Sequence, residues 1–529
     1  MTATEVVHSF NRLAVHCHDA WPAYGAPGMT TAPQQQPSPP PLDHAAVRPI
    51  IAGLMLAMFL SALEQTIVAP ALAAIGRSLN DVENLSWVVT AYLLSATVAT
   101  PLFGKLSDIY GRRAMMLIAV AIFLLGSLAC ALAPTMGVLI AARALQGFGG
   151  GGILPLAQTV IADILTPRER PIFQSYSSVM FMTASILGPL AGGILTDYLH
   201  WSFIFWIMLP MGAVALAMTD RALKLIPRND RPHKLDGVGA VLMVAAALAL
   251  LLALSWGGVR YPWSSPTIVS LLLGSLVLWL AFAWWLTRAP EPFIPLSLVG
   301  EPLIGLMVVA AFFAIGTIIG LSIVVPLYLE LVLGFSASGG GIALIAYVVG
   351  TSFGSLSSGR LMARLAHYKR VPLASLPFSI ATFALLAWHP AGWSLPSICA
   401  ILMVNGFGVG TMYPFTTVSI QNAVEPHRFG IATGTVNFFR QLGGAIIAAA
   451  FVAIVLGGLE GGEGARLLAT LTAQGASGAA RSAGAAHFAP LFGWVFLLAA
   501  LFLAASMLAV MLAEERPLRG PATQVKPAE

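Results

Sequence analysis

Charge is what this chain has least of: Asp, Glu, Lys and Arg together make up 9% of its 529 residues, against 58% hydrophobic residues and a mean hydropathy of +0.84. So few charges cannot cover the surfaces of the three or four soluble domains that this length would otherwise suggest, and so apolar a chain is not disordered. Cysteine is scarce too. Cys17, Cys130 and Cys399 lie far apart, which excludes a disulfide scaffold and a CxxC metal site. The GxxxxGK[ST] phosphate loop and the HExxH zinc pair are absent, which argues against ATP drive and against a metallopeptidase. Residues 1–49 contain no apolar run of the signal-peptide kind; QQQPSPPP (34–41) and scattered polar residues read as a disordered cytoplasmic tail.

What the chain has instead is long apolar runs. A helix crosses the hydrocarbon with about 20 mostly apolar residues, and fourteen such runs recur between residues 50 and 513. Stretches such as AVLMVAAALALLLAL (240–254) do not alternate as barrel strands do. With the N-terminus in the cytoplasm, most Lys and Arg fall in inward loops and at the two termini; Arg77, Arg260, Arg466 and Arg481 remain outside, and Arg143 and Arg440 fall within spans. The net charge of +5 therefore speaks to orientation rather than to a nucleic-acid partner. An even number of spans returns the C-terminus to the cytoplasm.

Self-similarity is visible by eye. GFGGGGILP (147–155) reappears as GFGVGTMYP (406–414), and GKLSD (104–108) has a counterpart in GRLMA (359–363). Two related six-span halves follow, at 50–222 and 301–513, separated by an inner loop and two extra spans at 223–300. The second half includes an outward Gly/Ala-rich loop at 457–490, and residues 514–529 form a second cytoplasmic tail.

Several of these runs resemble a known family. GKLSDIYGRR (104–113) resembles the inner-loop signature of the major facilitator superfamily, SILGPLAGG (185–193) its antiporter-associated fifth-helix motif, and ARALQGFGGG (142–151) its fourth-helix motif. LEQTIVAPAL (63–72), WVVTAYLLS (87–95), PLYLELVLG (326–334) and GIATGTVNFFRQLGG (430–444) are similar to the fourteen-span drug/proton antiporter branch. The resemblance implies an all-α membrane fold of two six-helix halves plus two central extra helices, in a bacterial inner membrane. It implies a functional monomer, small-molecule substrates and no cofactor beyond the proton as coupling ion; a periplasmic adaptor partner follows by analogy alone. Gly104, Asp108, Gly111, Arg112 and Arg113 become a latch on the inner side, and Ala363 makes that latch one-sided, because it replaces the acid in the second copy. Gly188, Pro189, Gly192 and Gly193 become a bend point, where proline removes a backbone hydrogen bond and glycines admit a close neighbour. HWSFIFWIMLPMG (200–212) departs from the family pattern at Ser202 and Met208.

Charges inside spans are costly and by default mark a pathway or relay. Glu64 lies about 21 Å from the inner end of the first span and Arg143 about 8 Å from the outer end of the fourth, so they share a depth and form a plausible pair. Desolvation penalises the carboxylate form and the neighbouring arginine favours it, which makes Glu64 the expected proton-coupling group; permanent structural pairing with Arg143 is the alternative. Arg440 lies near mid-membrane beside Gln441, and both are grouped with the transport site. Gln146, Gln421 and Asn405 read as helix–helix hydrogen-bond partners or as cavity lining, and Glu330 as an outer interfacial acid or a weak substrate contact. Asp163 and Asp197, near span ends, read as hydrated. The function expected is proton-coupled efflux of hydrophobic or amphipathic compounds, not an enzyme. The alternatives are a facilitator or symporter for a specific metabolite and a sensor or scaffold, for which a large soluble domain would be needed.

Overall fold

The structure is a computed structural model and describes residues 44–518 apart from 82–83, 225–235, 259, 291, 293, 295–297, 299, 336 and 458–477. Most of the long tail and most of the outward loop, together with Arg228, Arg231, Lys234, Arg466 and residues 519–529, thus lie outside the described residues.

Among the described residues, fourteen helices are long and apolar enough to cross a membrane. They are α1 (Pro49–Ala71), α2 (Trp87–Tyr110), α3 (Arg112–Ala131), α4 (Met136–Ile164), α5 (Arg170–Tyr198), α6 (Phe203–Arg221) and α7 (Gly237–Trp256), followed by α8 (Pro266–Leu286), α9 (Pro302–Leu331), α10 (Gly339–Arg364), α11 (Arg370–Trp388), α12 (Leu395–Ala423), α13 (Pro426–Val455) and α14 (Gly484–Leu512). Helices are what such runs must form, because only they satisfy every backbone group within the segment. Polar residues set the ends: Thr135 accepts from the Val138 amide at 3.4 Å, Asp236 from Gly239 at 2.8 Å and Ser265 from Ile268 at 3.3 Å. In α12 the helix is interrupted at Thr411. Pro414 can give no amide proton to the Gly410 carbonyl, so the break falls where the ladder is already missing a rung.

The sequence repeat returns as a packing repeat. A Cβ on Gly147 would strike the Tyr92 carbonyl oxygen, and one on Gly406 the Tyr347 carbonyl oxygen; Gly151 lies as closely on Ala96, and Gly410 on Thr351. Tyr92 and Tyr347 are separated by the same spacing as Gly104 and Gly359, and Gly147 and Gly406 by the same spacing as Pro155 and Pro414. The pair α2/α4 therefore maps onto α10/α12, α3/α4 onto α11/α12, α1/α5 onto α9/α13 and α1/α6 onto α9/α14. Across the halves α2 packs on α13 and α5 on α10, and these two seams exchange under the same mapping.

The extra helices α7 and α8 pack on each other, with Ser275 Oγ donating to the Ala246 carbonyl at 2.9 Å. They cover the α2/α13 seam: Ala247 and Leu251 of α7 join Leu94 and Val98 of α2 and Phe438 and Leu442 of α13 in one apolar cluster. After α14 the chain clamps the loop between α10 and α11. Lys369 Nζ donates to the Met511 and Ala513 carbonyls at 2.8 and 2.6 Å, and Glu515 accepts from the Lys369 amide at 2.9 Å.

Candidate functional site

Glu64 and Arg143, placed at one depth by counting, meet in an ion pair. Glu64 is wholly buried and Arg143 is 2% exposed. The same Nη1 that holds Glu64 Oε1 also donates to Gln146 Oε1 at 2.7 Å, and Nε donates to the Val88 carbonyl at 2.9 Å. The guanidinium lies over the Tyr92 ring, 4.5 Å from its centroid. Gln146, one helical turn from Arg143, passes the network to Ser127 at 2.7 Å. The second carboxyl oxygen, Glu64 Oε2, is buried with no hydrogen-bond partner. In a site this buried an acceptor without a donor is costly, so Oε2 is the position where a proton can be added without displacing a protein donor.

Two residues beyond Glu64, Thr66 joins α1 to α5. Its hydroxyl donates to the Ala184 carbonyl at 2.8 Å, and a Cβ on Gly188 would collide with its side chain. Gly192 lies equally close to the Ile67 carbonyl and Pro70. The motif thus brings α1 and α5 together at two of the three glycines expected. Gly193 is a correction: nothing lies within 4 Å of a Cβ there, because it faces away from α1. Helix α5 runs unbroken from Arg170 to Tyr198 through Pro189, which is exposed.

At the end of the bundle that carries the basic loops, GKLSDIYGRR meets the start of α13. Asp108 accepts from the amides of Gly430 at 3.0 Å and Ile431 at 2.7 Å, and so caps the first turn of α13 across the seam. Arg112 pairs with Asp108 and with Asp163 at 2.8 Å. Arg113 pairs with Asp220 of α6 at 2.5 Å. Gly104 is glycine because a Cβ would strike the Gly430 carbonyl oxygen, and Gly111 because the turn into α3 has φ +90°. Asp163, exposed near the end of α4 as expected, also pairs with Arg112, a contact the sequence reading did not anticipate. In the repeat-related seam Gly359 lies on the Pro171 carbonyl, with Ala363 where the acid would be. Pro171 has no amide proton to offer an acid in any case.

Arg440 and Gln441 do not share a site. Gln441 crosses to α2, accepting from Thr97 at 2.9 Å and donating to Thr100 at 3.1 Å. Arg440 turns toward α12 and donates to Thr416 and Thr417 at 2.6 and 2.8 Å. Neighbours in a helix point about 100° apart, which separates the two. Asn405 is buried and bonded to Ser379 and Thr382 of α11, and Glu330 is exposed at the end of α9. Neither joins the Glu64 network. GTSFG (350–354) has the spacing of a hydrolase elbow but lies within α10, where Ser352 donates to the Ser178 carbonyl at 3.1 Å. Among the described residues no group of three or more His, Cys, Asp or Glu side chains is placed to hold a metal.

Sequence reasoning missed Tyr92, Gln158 and Asn437. Asn437 donates to Gln158 Oε1 at 2.7 Å, a bond between the halves that pairs residues of α13 and α4. Both are uncharged, so only their polarity within apolar runs could have drawn notice.

Residues 54–448 match the family model described as the Major Facilitator Superfamily. An uncharacterized MFS-type transporter of Mycobacterium tuberculosis is 35% identical over 82% of this chain, and the match spans 64% of that relative's length. "Multidrug resistance protein 3" of Bacillus subtilis is 33% identical over 76% of this chain and 78% of its own length, and the same organism's "Multidrug transporter protein MdtP" is 32% identical over 75% and 73%. Among solved structures, the human organic anion transporter MFSD10 superposes with a TM-score of 0.59 at 17% identity, over 86% of this chain and 99% of that one. A proton:xylose symporter gives 0.56 at 13%, over 87% and 95%. Likeness at that distance speaks for the fold alone.

Proposed function

This chain belongs to the major facilitator superfamily, and from that premise we propose that it is a proton-coupled exporter of hydrophobic or amphipathic small molecules. The observation that carries the proposal is Glu64: a wholly buried carboxyl with one oxygen on Arg143 and the other unpartnered. A proton on Oε2 neutralises the acid and leaves Arg143 to Gln146 and the Val88 carbonyl. Glu64 and Thr66 lie on one stretch of α1, and Thr66 is bonded to α5. Protonation thereby bears on the α1/α5 joint, and α5 begins at the latched end, where Arg170 lies 4.7 Å from the Phe429 ring at the start of α13.

The cycle we infer is alternating access. With Asp108 capping α13 the basic end is held shut; protonation of Glu64 from the opposite side favours release of the compound, and deprotonation toward the basic end resets the site. Each proton crossing about 100 mV supplies about 2.3 kcal/mol, so one or two sustain a useful gradient. The names of the two Bacillus relatives support the substrate class, and the concentration of cations at one end supports placing that end in the cytoplasm of a bacterial inner membrane. A deletion strain screened against toxic amphiphiles identifies compounds for reconstitution. Proteoliposomes with an acidic lumen should accumulate them, and Glu64→Gln should abolish the dependence on the gradient while sparing downhill exchange. Gradient-driven accumulation that survives Glu64→Gln unchanged overturns the reading.

A further inference from the structure

Arg440 is 3% exposed, and among the described residues no carboxylate pairs with it. Its contacts are neutral: Asn437 Oδ1 at 3.2 Å, the Tyr413 carbonyl at 3.2 Å, and the hydroxyls of Thr416 and Thr417. Its Nε is buried with no acceptor at all. The guanidinium lies 5.5 Å from the Tyr413 ring centroid. On the other side of that picture stands Tyr347 of α10, 5% exposed, close enough to Tyr413 to interact with it electrostatically, and its hydroxyl too is buried without a partner.

Two buried donors without acceptors, each a neighbour of Tyr413 and one of them on a full positive charge, describe half of an interaction. Buried charges are paired or bound to an ion. The first half of the molecule obeys this within its own sequence, since Arg143 has Glu64. Tyr92, which lies over Arg143, is the repeat counterpart of Tyr347. The second half has the tyrosine and the arginine and, among the described residues, no acid paired with them.

We propose that Arg440 and Tyr347 receive the anionic group of the exported compound, a carboxylate, sulfonate or phosphate on an apolar body, between α10, α12 and α13. The site adjoins the first half through Asn437 and Gln158, so an anion bound there reaches the seam that alternating access must open. This assignment rests on the export reading and narrows its substrate class to amphipathic anions. An anion leaving as a proton enters moves charge in one direction, so a membrane potential positive on the receiving side should accelerate it. Exchange of one cation for one proton is electroneutral and should not respond.

The test uses the full chain in proteoliposomes with an acidic lumen and two probes of equal body and permanent charge, radiolabelled naphthalene-2-sulfonate and naphthyltrimethylammonium, neither of which a pH gradient redistributes passively. The sulfonate should accumulate, faster when valinomycin sets the lumen positive. Truncating one partner of a buried charge contact should raise its KM about 30-fold or more in Arg440→Gln, with partial rescue in Arg440→Lys. Tyr347→Phe removes a hydroxyl that bonds no protein group, so folding is spared, and should raise KM about tenfold. Gradient-driven accumulation of the ammonium probe with none of the sulfonate overturns the anion site and leaves proton-coupled export standing. Sulfonate transport indifferent to Tyr347→Phe but lost when lumenal and external chloride is replaced by gluconate also overturns it, since a small inorganic anion would then be the occupant. If neither probe nor any compound from the toxicity screen moves, the export reading itself falls.

Discussion

The two halves of the bundle correspond helix by helix, yet each carries an arginine within a span where the other has an apolar side chain. Arg143 stands in α4 at the position of Leu402 in α12, and Arg440 in α13 at the position of Phe181 in α5. The first arginine has a carboxylate, a glutamine and an aromatic face; the second has hydroxyls, an amide and a carbonyl. The latch divides in the same manner, with Asp108 in one copy and Ala363 in the other. A duplicated scaffold thus keeps the close-packing glycines of α2 and α4 in both copies, Gly104, Gly147 and Gly151 matching Gly359, Gly406 and Gly410, and differs in its charges. Packing is what both halves need to stand in the membrane, whereas a cycle with a direction needs unlike halves.

The largest effect should come from breaking the fully buried ion pair of Glu64 and Arg143. Arg143→Met leaves a buried carboxylate alone and should cost about 3–5 kcal/mol in the thermal stability of purified protein, whereas the double variant Glu64→Gln, Arg143→Met should recover most of the loss. A double variant as unstable as the single one would mean that Arg143 acts through its contacts with Tyr92 and Val88, and not through the acid.

The latch comes next. Asp108→Asn keeps the shape but removes the charge that caps α13 and should weaken the closed end by about 1–2 kcal/mol. In a background without native cysteines, maleimide labelling of Ser175→Cys, buried under Gly359 at the same end, should then speed up by roughly 5- to 30-fold if opening is in rapid equilibrium. Ala363→Asp should slow it little, because Pro171 has no amide proton for the new acid to accept. Equal and opposite effects of the two substitutions would erase the asymmetry drawn here.

Arg440→Met should matter less to stability than either. Thr416 and Thr417 keep their bonds to the Met412 and Tyr413 carbonyls, at 2.8 and 3.1 Å, and no charge is stranded, so the change should stay within about 1 kcal/mol of either sign. A loss as large as that of Arg143→Met would mean that a counter-charge reaches Arg440 after all.

How far the sequence reached depended on what each inference used. Span number, the central pair and the repeat rested on runs of apolar residues and on spacing, which the membrane fixes rigidly. The Glu64–Arg143 contact was legible for the same reason, since depth can be counted at 1.5 Å per residue. Azimuth is harder to count. Grouping Arg440 with Gln441 placed two neighbours in one site although they face α12 and α2. Gln146 was seen as polar but not as part of the Arg143 network, because i to i+3 adjacency suggests a contact without saying which groups will close it. The partner of Asp163 was missed because Arg112 comes from another helix, and distance along the chain carries no sign of it.

The smallest predicted effect separates packing from motif. Gly188 and Gly192 lie against α1, where a Cβ would strike Thr66 or the Ile67 carbonyl, but Gly193 has open space around it. Gly193→Ala should therefore leave stability within about 0.5 kcal/mol of the parent, with gradient-driven transport unchanged, while Gly192→Ala lowers both. The third glycine would then be a residue of the motif by sequence and not by contact. Loss of transport in Gly193→Ala with stability intact would mean that this face of α5 meets another surface in a second state of the cycle, and the bend would have to be sought there and not at the α1 joint.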